Sequence, residues 1–149
     1  MKPRVSRTGH PRLEPASRTP LQIGRLVVTV CPRERGVVTL PLERGDRATR
    51  LDADAVLEAL RALVARRGLT EYVQIRDGCA GGCSGTGPNV DVRIYAAPVP
   101  GERVDHVALG WKTYVYSLST LPSLADVIDE NLPGARRLPS ARRPRRAGR

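Results

Sequence analysis

A mixed α/β fold is what this sequence predicts, and three observations carry that prediction. A β-branched run is followed by a strongly periodic helix and a second strand, two more strands follow with no helix between them, and a short apolar stripe closes the region. The first strand is RLVVTVC, residues 25–31, which starts after Gly24 and is broken by Pro32, so it delivers Cys31 at its C-terminal end. Residues 33–51, RERGVVTLPLERGDRATRL, are punctuated by Gly36, Pro41 and Gly45 and read as a loop holding at most a short extended piece.

Asp52 then offers an N-cap to ADAVLEALRALVARR, in which Val56, Leu57, Leu60, Leu63 and Val64 recur at helical spacing and Gly68 supplies the stop. EYVQIRD, residues 71–77, is a second strand. NVDVRIYAAP, residues 89–98, is a third, alternating Val90, Val92 and Ile94 with Asp91, Arg93 and Tyr95. KTYVYSL, residues 112–118, reads as a fourth. Ser123 is then expected to cap LADVIDENL, where Leu124, Val127, Ile128 and Leu132 form an apolar stripe ended by Pro133 and Gly134.

Strand, helix, strand, strand, strand, helix is the order of a thioredoxin-like α/β sandwich with a mixed four-stranded sheet and two main helices. The first connection is long enough for a parallel crossover, and the last two strands can pair antiparallel. The core must be aliphatic, because the chain has no Phe, one Trp and four Tyr.

The chain has 149 residues and a formal charge of +10, unevenly distributed. Residues 1–23 carry five basic groups and one acid, and residues 134–149 carry seven arginines and no acid. Residues 24–133 carry 13 basic groups against 14 acids, so the basic excess sits in the two ends. Both ends are rich in Pro, Ser and Arg and poor in apolar residues, which predicts disordered basic tails at 1–23 and 134–149 around one domain at 24–133. The sequence contains no apolar run long enough to span a membrane and no hydrophobic stretch behind the basic N-terminus. The expectation is a cytoplasmic protein with no membrane partner. In that compartment thiols stay reduced, and three cysteines read as ligands or redox groups rather than a disulfide framework.

Two of the three cysteines, Cys79 and Cys83, lie four apart in DGCAGGCSGTGPNV, residues 77–90, among five glycines. Thiolate is a soft ligand for zinc or iron–sulfur clusters. Glycines let a chain wrap closely around such a centre, and the same residues could equally form a glycine-rich turn whose two cysteines are merely neighbours. The segment lacks the lysine and following helix of a phosphate loop. Asp52 and Asp54 suit a helix N-terminus better than a catalytic dyad, and two histidines supply little for a hydrolytic triad, so no enzymatic activity is expected.

GCAGGCSGTGPNV resembles the second half of the cluster motif of the thioredoxin-like 2Fe-2S ferredoxins, in which a C-x3-C pair is followed by Gly-Pro and an apolar strand. The resemblance covers roughly residues 24–133, with Cys31 matching the family's first cysteine. GWKTYVYSL, residues 110–118, also resembles an aromatic strand of a related group of predicted metal-binding proteins. The resemblance implies a small electron-transfer or cluster-carrying protein that docks a redox partner protein, with Cys31, Cys79 and Cys83 as metal ligands. Gly81, Gly82 and Gly85 are then positions where the backbone approaches a 2Fe-2S cluster.

This chain departs from the family at one point. The family uses four cysteines, and the window for the second falls here at Pro41, Leu42, Glu43 and Arg44. Glu43, Asp46, Ser84, Thr86 and His106 are the candidates for a fourth ligand. The alternative is a zinc-binding or metal-free interaction module whose Arg-rich tails bind an acidic partner or, less expected, nucleic acid. Zinc held by the three thiols and one oxygen or nitrogen would satisfy tetrahedral coordination. A homodimer is compatible with either reading.

Overall fold

A computed structural model describes residues 24–81, 87–97, 100–103, 107–115 and 117–132. The two tails, Cys83, Gly82, Gly85, Ser84, Thr86 and His106 lie outside the described residues. The mixed α/β class, the four-stranded mixed sheet and the two helices expected from the sequence are observed.

Strand β1 (Arg25–Val30) sits at the centre of the sheet. On one side it pairs parallel with β4 (Val73–Asp77), and on the other antiparallel with β5 (Val90–Tyr95), which pairs in turn with β6 (Gly110–Tyr114). The sheet order is therefore β4-β1-β5-β6. Helix α1 (Ala53–Arg66) makes the crossover between the parallel pair. Its start is set by Asp52, whose carboxylate accepts from the Ala55 backbone N–H at 2.8 Å. Its end is set by Gly68, which adopts φ +67, a left-handed conformation that favours glycine.

Three expectations change in detail. The stretch read as a loop contains a small antiparallel hairpin, β2 (Val38–Leu40) with β3 (Thr49–Leu51). The fourth strand begins two residues earlier than its β-propensity suggests and ends at Tyr114, because its pairing with Val90–Ile94 ends there. The closing segment is also less regular than its apolar stripe implies. Only Asp126–Asp129 forms α2, after a 3-10 turn at Leu118–Thr120. Ser123 does not cap it through a backbone N–H; its hydroxyl donates instead to the Asp126 carboxylate at 2.7 Å.

The core lies on one face of the sheet. Leu26, Val28, Val30, Val73, Val90, Val92 and Tyr114 pack there with Val56, Leu60, Leu63 and Val64 of α1 and with Leu124, Val127, Ile128 and Leu132. Period-2 alternation along each strand directs these residues to the same side. The Arg44 guanidinium clamps the closing segment by donating to fully buried Asp126, at 2.7 Å from Nη2 and 3.1 Å from Nε. Tyr114 extends the same link from β6, its hydroxyl donating to Glu130 and accepting from the Asn131 amide, each at 2.9 Å.

Candidate functional site

The parallel pairing of β1 with β4 brings the two described thiols together. Val30 and Asp77 are register partners at the ends of these strands. The next residues are Cys31 on one side and Gly78 and Cys79 on the other. The Gly78 N–H donates to the Val30 carbonyl at 3.1 Å, and the Cys31 N–H donates to the Asn89 carbonyl at 3.2 Å. Cys31 is thereby held between the end of β4 and the residue that opens β5. Its side chain is buried, at 1% exposure, whereas Cys79 is exposed.

Both thiols line one cavity of about 290 Å³, together with Pro32, Arg33, Asp77 and Gly78. Gly78 leaves little room: a Cβ there would meet the Thr29 methyl at 3.1 Å, so its hydrogen atom lets the Cys79 loop cross close over β1. Gly81 adopts φ +78, and a Cβ on it would meet no atom within 4 Å. A side chain is therefore disfavoured at residue 81 by backbone conformation, rather than by close approach of neighbouring atoms.

Asn89 joins the two halves of the site. Its side-chain amide donates to the Glu34 carboxylate at 3.2 Å and to the Gly81 carbonyl at 3.1 Å. Glu34 belongs to the turn that follows Cys31, and Gly81 to the loop that follows Cys79. Both Asn89 and Glu34 are buried. A buried carboxylate is costly to desolvate, so its hydrogen bond to Asn89 offsets part of that cost and fixes the turn relative to the loop. Sequence reasoning missed both residues. The available signal was slight: a polar residue, Asn89, directly before an alternating strand, where a hydrophobic residue would pack more simply.

The fourth-ligand candidates divide. The Glu43 carboxylate accepts from Arg67 at 3.1 Å and pairs with Arg66 at 3.3 Å. Asp46 accepts from the Glu43 N–H at 3.1 Å. Arg66 and Arg67 close the C-terminal end of α1, from which the chain turns into the start of β4, at the end of the sheet where β1 also begins. Cys31 lies at the other end of β1, roughly 20 Å away for six extended residues. Glu43 and Asp46 thus serve the helix end, at the opposite end of the sheet from Cys31 and Cys79. Ser84, Thr86 and His106, like Cys83, Gly82 and Gly85, fall outside the described residues. Among the described residues, no three His, Cys, Asp or Glu side chains gather closely enough to hold a metal ion, so the described part of the site contributes two sulfurs. No described helix is long and apolar enough to cross a membrane.

No family model matches the chain, and no match is found among curated proteins or solved structures.

Proposed function

We propose that this chain is a small thioredoxin-like protein in which Cys31, Cys79 and Cys83 hold a 2Fe-2S-type cluster, for electron transfer or for carrying the cluster to a redox partner. The single observation that carries this reading is the convergence of Cys31 and Cys79, distant in the chain, on one 290 Å³ cavity at the ends of two neighbouring parallel strands. Further support comes from the sheet order β4-β1-β5-β6, with a parallel crossover, an antiparallel hairpin and both helices on one face, which suits a thioredoxin-like core.

Two cysteines lining one cavity offer sulfur donors of the kind a soft metal takes. A bound cluster would supply one-electron chemistry. The chain's own contribution is positional. Buried Cys31 provides a sulfur on the protein side, exposed Cys79 provides one on the solvent side where a partner can approach, and Asn89 keeps the turn and the loop at a fixed separation.

The test is anaerobic purification and reconstitution with iron and sulfide, followed by metal analysis and a visible spectrum. The reading expects a brown protein with about two irons and two sulfides per chain, whose absorbance bleaches on reduction. Both Cys31→Ser and Cys79→Ser should lower iron content. A colourless protein without iron or sulfide would sink the cluster reading. Stoichiometric zinc in its place would assign the same cavity to a structural zinc site.

A further inference from the structure

The second face of the sheet carries a different set of side chains. The strand registers line them up in rows: Gln74, Val27, Arg93 and Trp111 in one, and Arg76, Thr29, Asp91 and Thr113 in the next. Arg25 and Tyr95 stand beside the first row as register partners. Both helices and their core partners belong to the opposite face; on this face Val27, Thr29 and Asp91 are buried along the middle of the rows, while Gln74, Arg76, Arg93, Trp111 and Thr113 are exposed.

Three features of this face converge on one kind of ligand. Trp111 is 76% exposed, and Leu109 and Val107 extend an exposed apolar strip along the rim. A depression of about 340 Å³ opens beside the indole, lined by Asp91, Arg93, Ala108 and Thr113. The charge within the strands is positive, with Arg25, Arg76 and Arg93 against Asp91, although residues 24–133 as a whole are nearly neutral. Each arginine is oriented from below: Arg76 Nε donates to the Thr29 hydroxyl and Arg93 Nε to Asp91, both at 3.1 Å, while the Arg25 guanidinium lies 5.0 Å from the Tyr95 ring centre.

We propose that the exposed side chains of this sheet face bind single-stranded nucleic acid, with a base stacked on Trp111 and backbone phosphates held by Arg93, Arg76 and Arg25. A flat sheet with a protruding aromatic and flanking arginines suits splayed bases and a phosphate backbone. Duplex is disfavoured, because its bases are already stacked on one another. A second copy placed face to face would set three arginines against three, a like-charge arrangement that opposes dimerisation there. The tails, with twelve basic groups and one acid between them, add attraction for the same polyanion without selecting it. The proposal is independent of the thiols and of any metal they hold.

The test uses the full chain with oligouridylate and oligothymidylate strands of about a dozen nucleotides, and a duplex of equal length for comparison. Trp111 is the only tryptophan, so its emission reports directly on stacking. Binding should quench that emission, and Trp111→Ala should weaken affinity for single strands by about tenfold. Arg93→Gln and Arg76→Gln should each reduce the salt dependence by about one phosphate contact. Stronger binding to oligouridylate or to oligothymidylate would identify RNA or DNA as the strand preferred. Unquenched emission together with unchanged affinity in Trp111→Ala would assign binding to the tails and overturn the proposal. Absence of binding at low salt would also overturn it, as would a dimer that shields Trp111 in sedimentation and quenching experiments.

Discussion

The two faces of the central sheet are made from the same strands by the same alternation, yet they solve opposite problems. One face carries Leu26, Val28, Val30, Val90 and Val92, fully buried under α1 and the closing segment. The other carries arginines, Asp91, Thr113 and a largely exposed tryptophan. The difference teaches where stability and recognition reside. Removing apolar area from water supplies the main folding term, so the covered face should tolerate little change. On the other face the exposed side chains, Trp111, Arg76 and Arg93 among them, are available for contacts that folding does not need.

Substitutions can test that division directly. The largest effect is expected at Leu60, fully buried on the inner side of α1, where Leu60→Ala should cost roughly 2–5 kcal/mol through lost transfer energy and the cavity left behind. Chemical denaturation measures it, and a loss below about 1 kcal/mol would mean that α1 is not packed against the sheet. Next comes the start of the same helix. Asp52→Ala removes the acceptor of the Ala55 N–H and should cost about 1 kcal/mol, with Asp52→Ser recovering most of it.

A smaller effect is expected at the margin of the covered face, where Lys112 donates to Glu130 at 2.9 Å. That hydrogen bond holds the Glu130 carboxyl below its usual 4.5, against a smaller opposing effect of burial. A carboxyl with a depressed folded-state pKa stabilises the fold when ionised, so this contribution is present above pH 4.5 and is lost as pH falls through the lower folded value. Both side chains are substantially exposed, so the pair should contribute only about 0.2–1 kcal/mol. Thermal melts of Lys112→Ala should show a shallower acid limb than the native protein. An identical limb would place the acid sensitivity elsewhere.

The smallest effect on stability is expected on the other face, where Trp111→Ala should change unfolding free energy by no more than about 0.5 kcal/mol. A cost near that of Leu60→Ala would show that the indole is packed against something, and the contrast between the faces would fail. A neutral result sharpens it, because the same substitution is the one expected to weaken nucleic-acid binding.

Legibility in the sequence followed how local each determinant is. Helix α1 was readable from end to end, since its apolar spacing, Asp52 cap and Gly68 stop all act within a few residues. The β2–β3 hairpin was not, because each strand has only three residues, and its neighbourhood is held from outside: Leu124 and Ala125 donate to the carbonyls of Pro41 and Leu42 at 2.8 and 2.9 Å. The apolar stripe of the closing segment overstates its helix, since Leu124, Val127, Ile128 and Leu132 are buried whether the chain there is regular α-helix or a succession of turns. At the candidate site the thiols stood out by residue type and by the glycines around two of them. Glu34 and Asn89 did not, because a polar residue becomes a bridge only when two distant turns meet over it.

The sequence by itself determined the α/β class, the helix limits of α1, the aliphatic core and the separation of charge between residues 24–133 and the two ends, all of which follow from periodicity, capping and composition along the chain. Only the tertiary structure decided that β4 lies beside β1, that Cys31 and Cys79 therefore share a cavity, and that Glu43 belongs to the far end of the sheet with Arg66 and Arg67. It also decided which side of each strand packs under the helices. Strand alternation names two sets of side chains, but only the packing of α1 and the closing segment assigns one set to the core and leaves Arg93 and Trp111 to solvent.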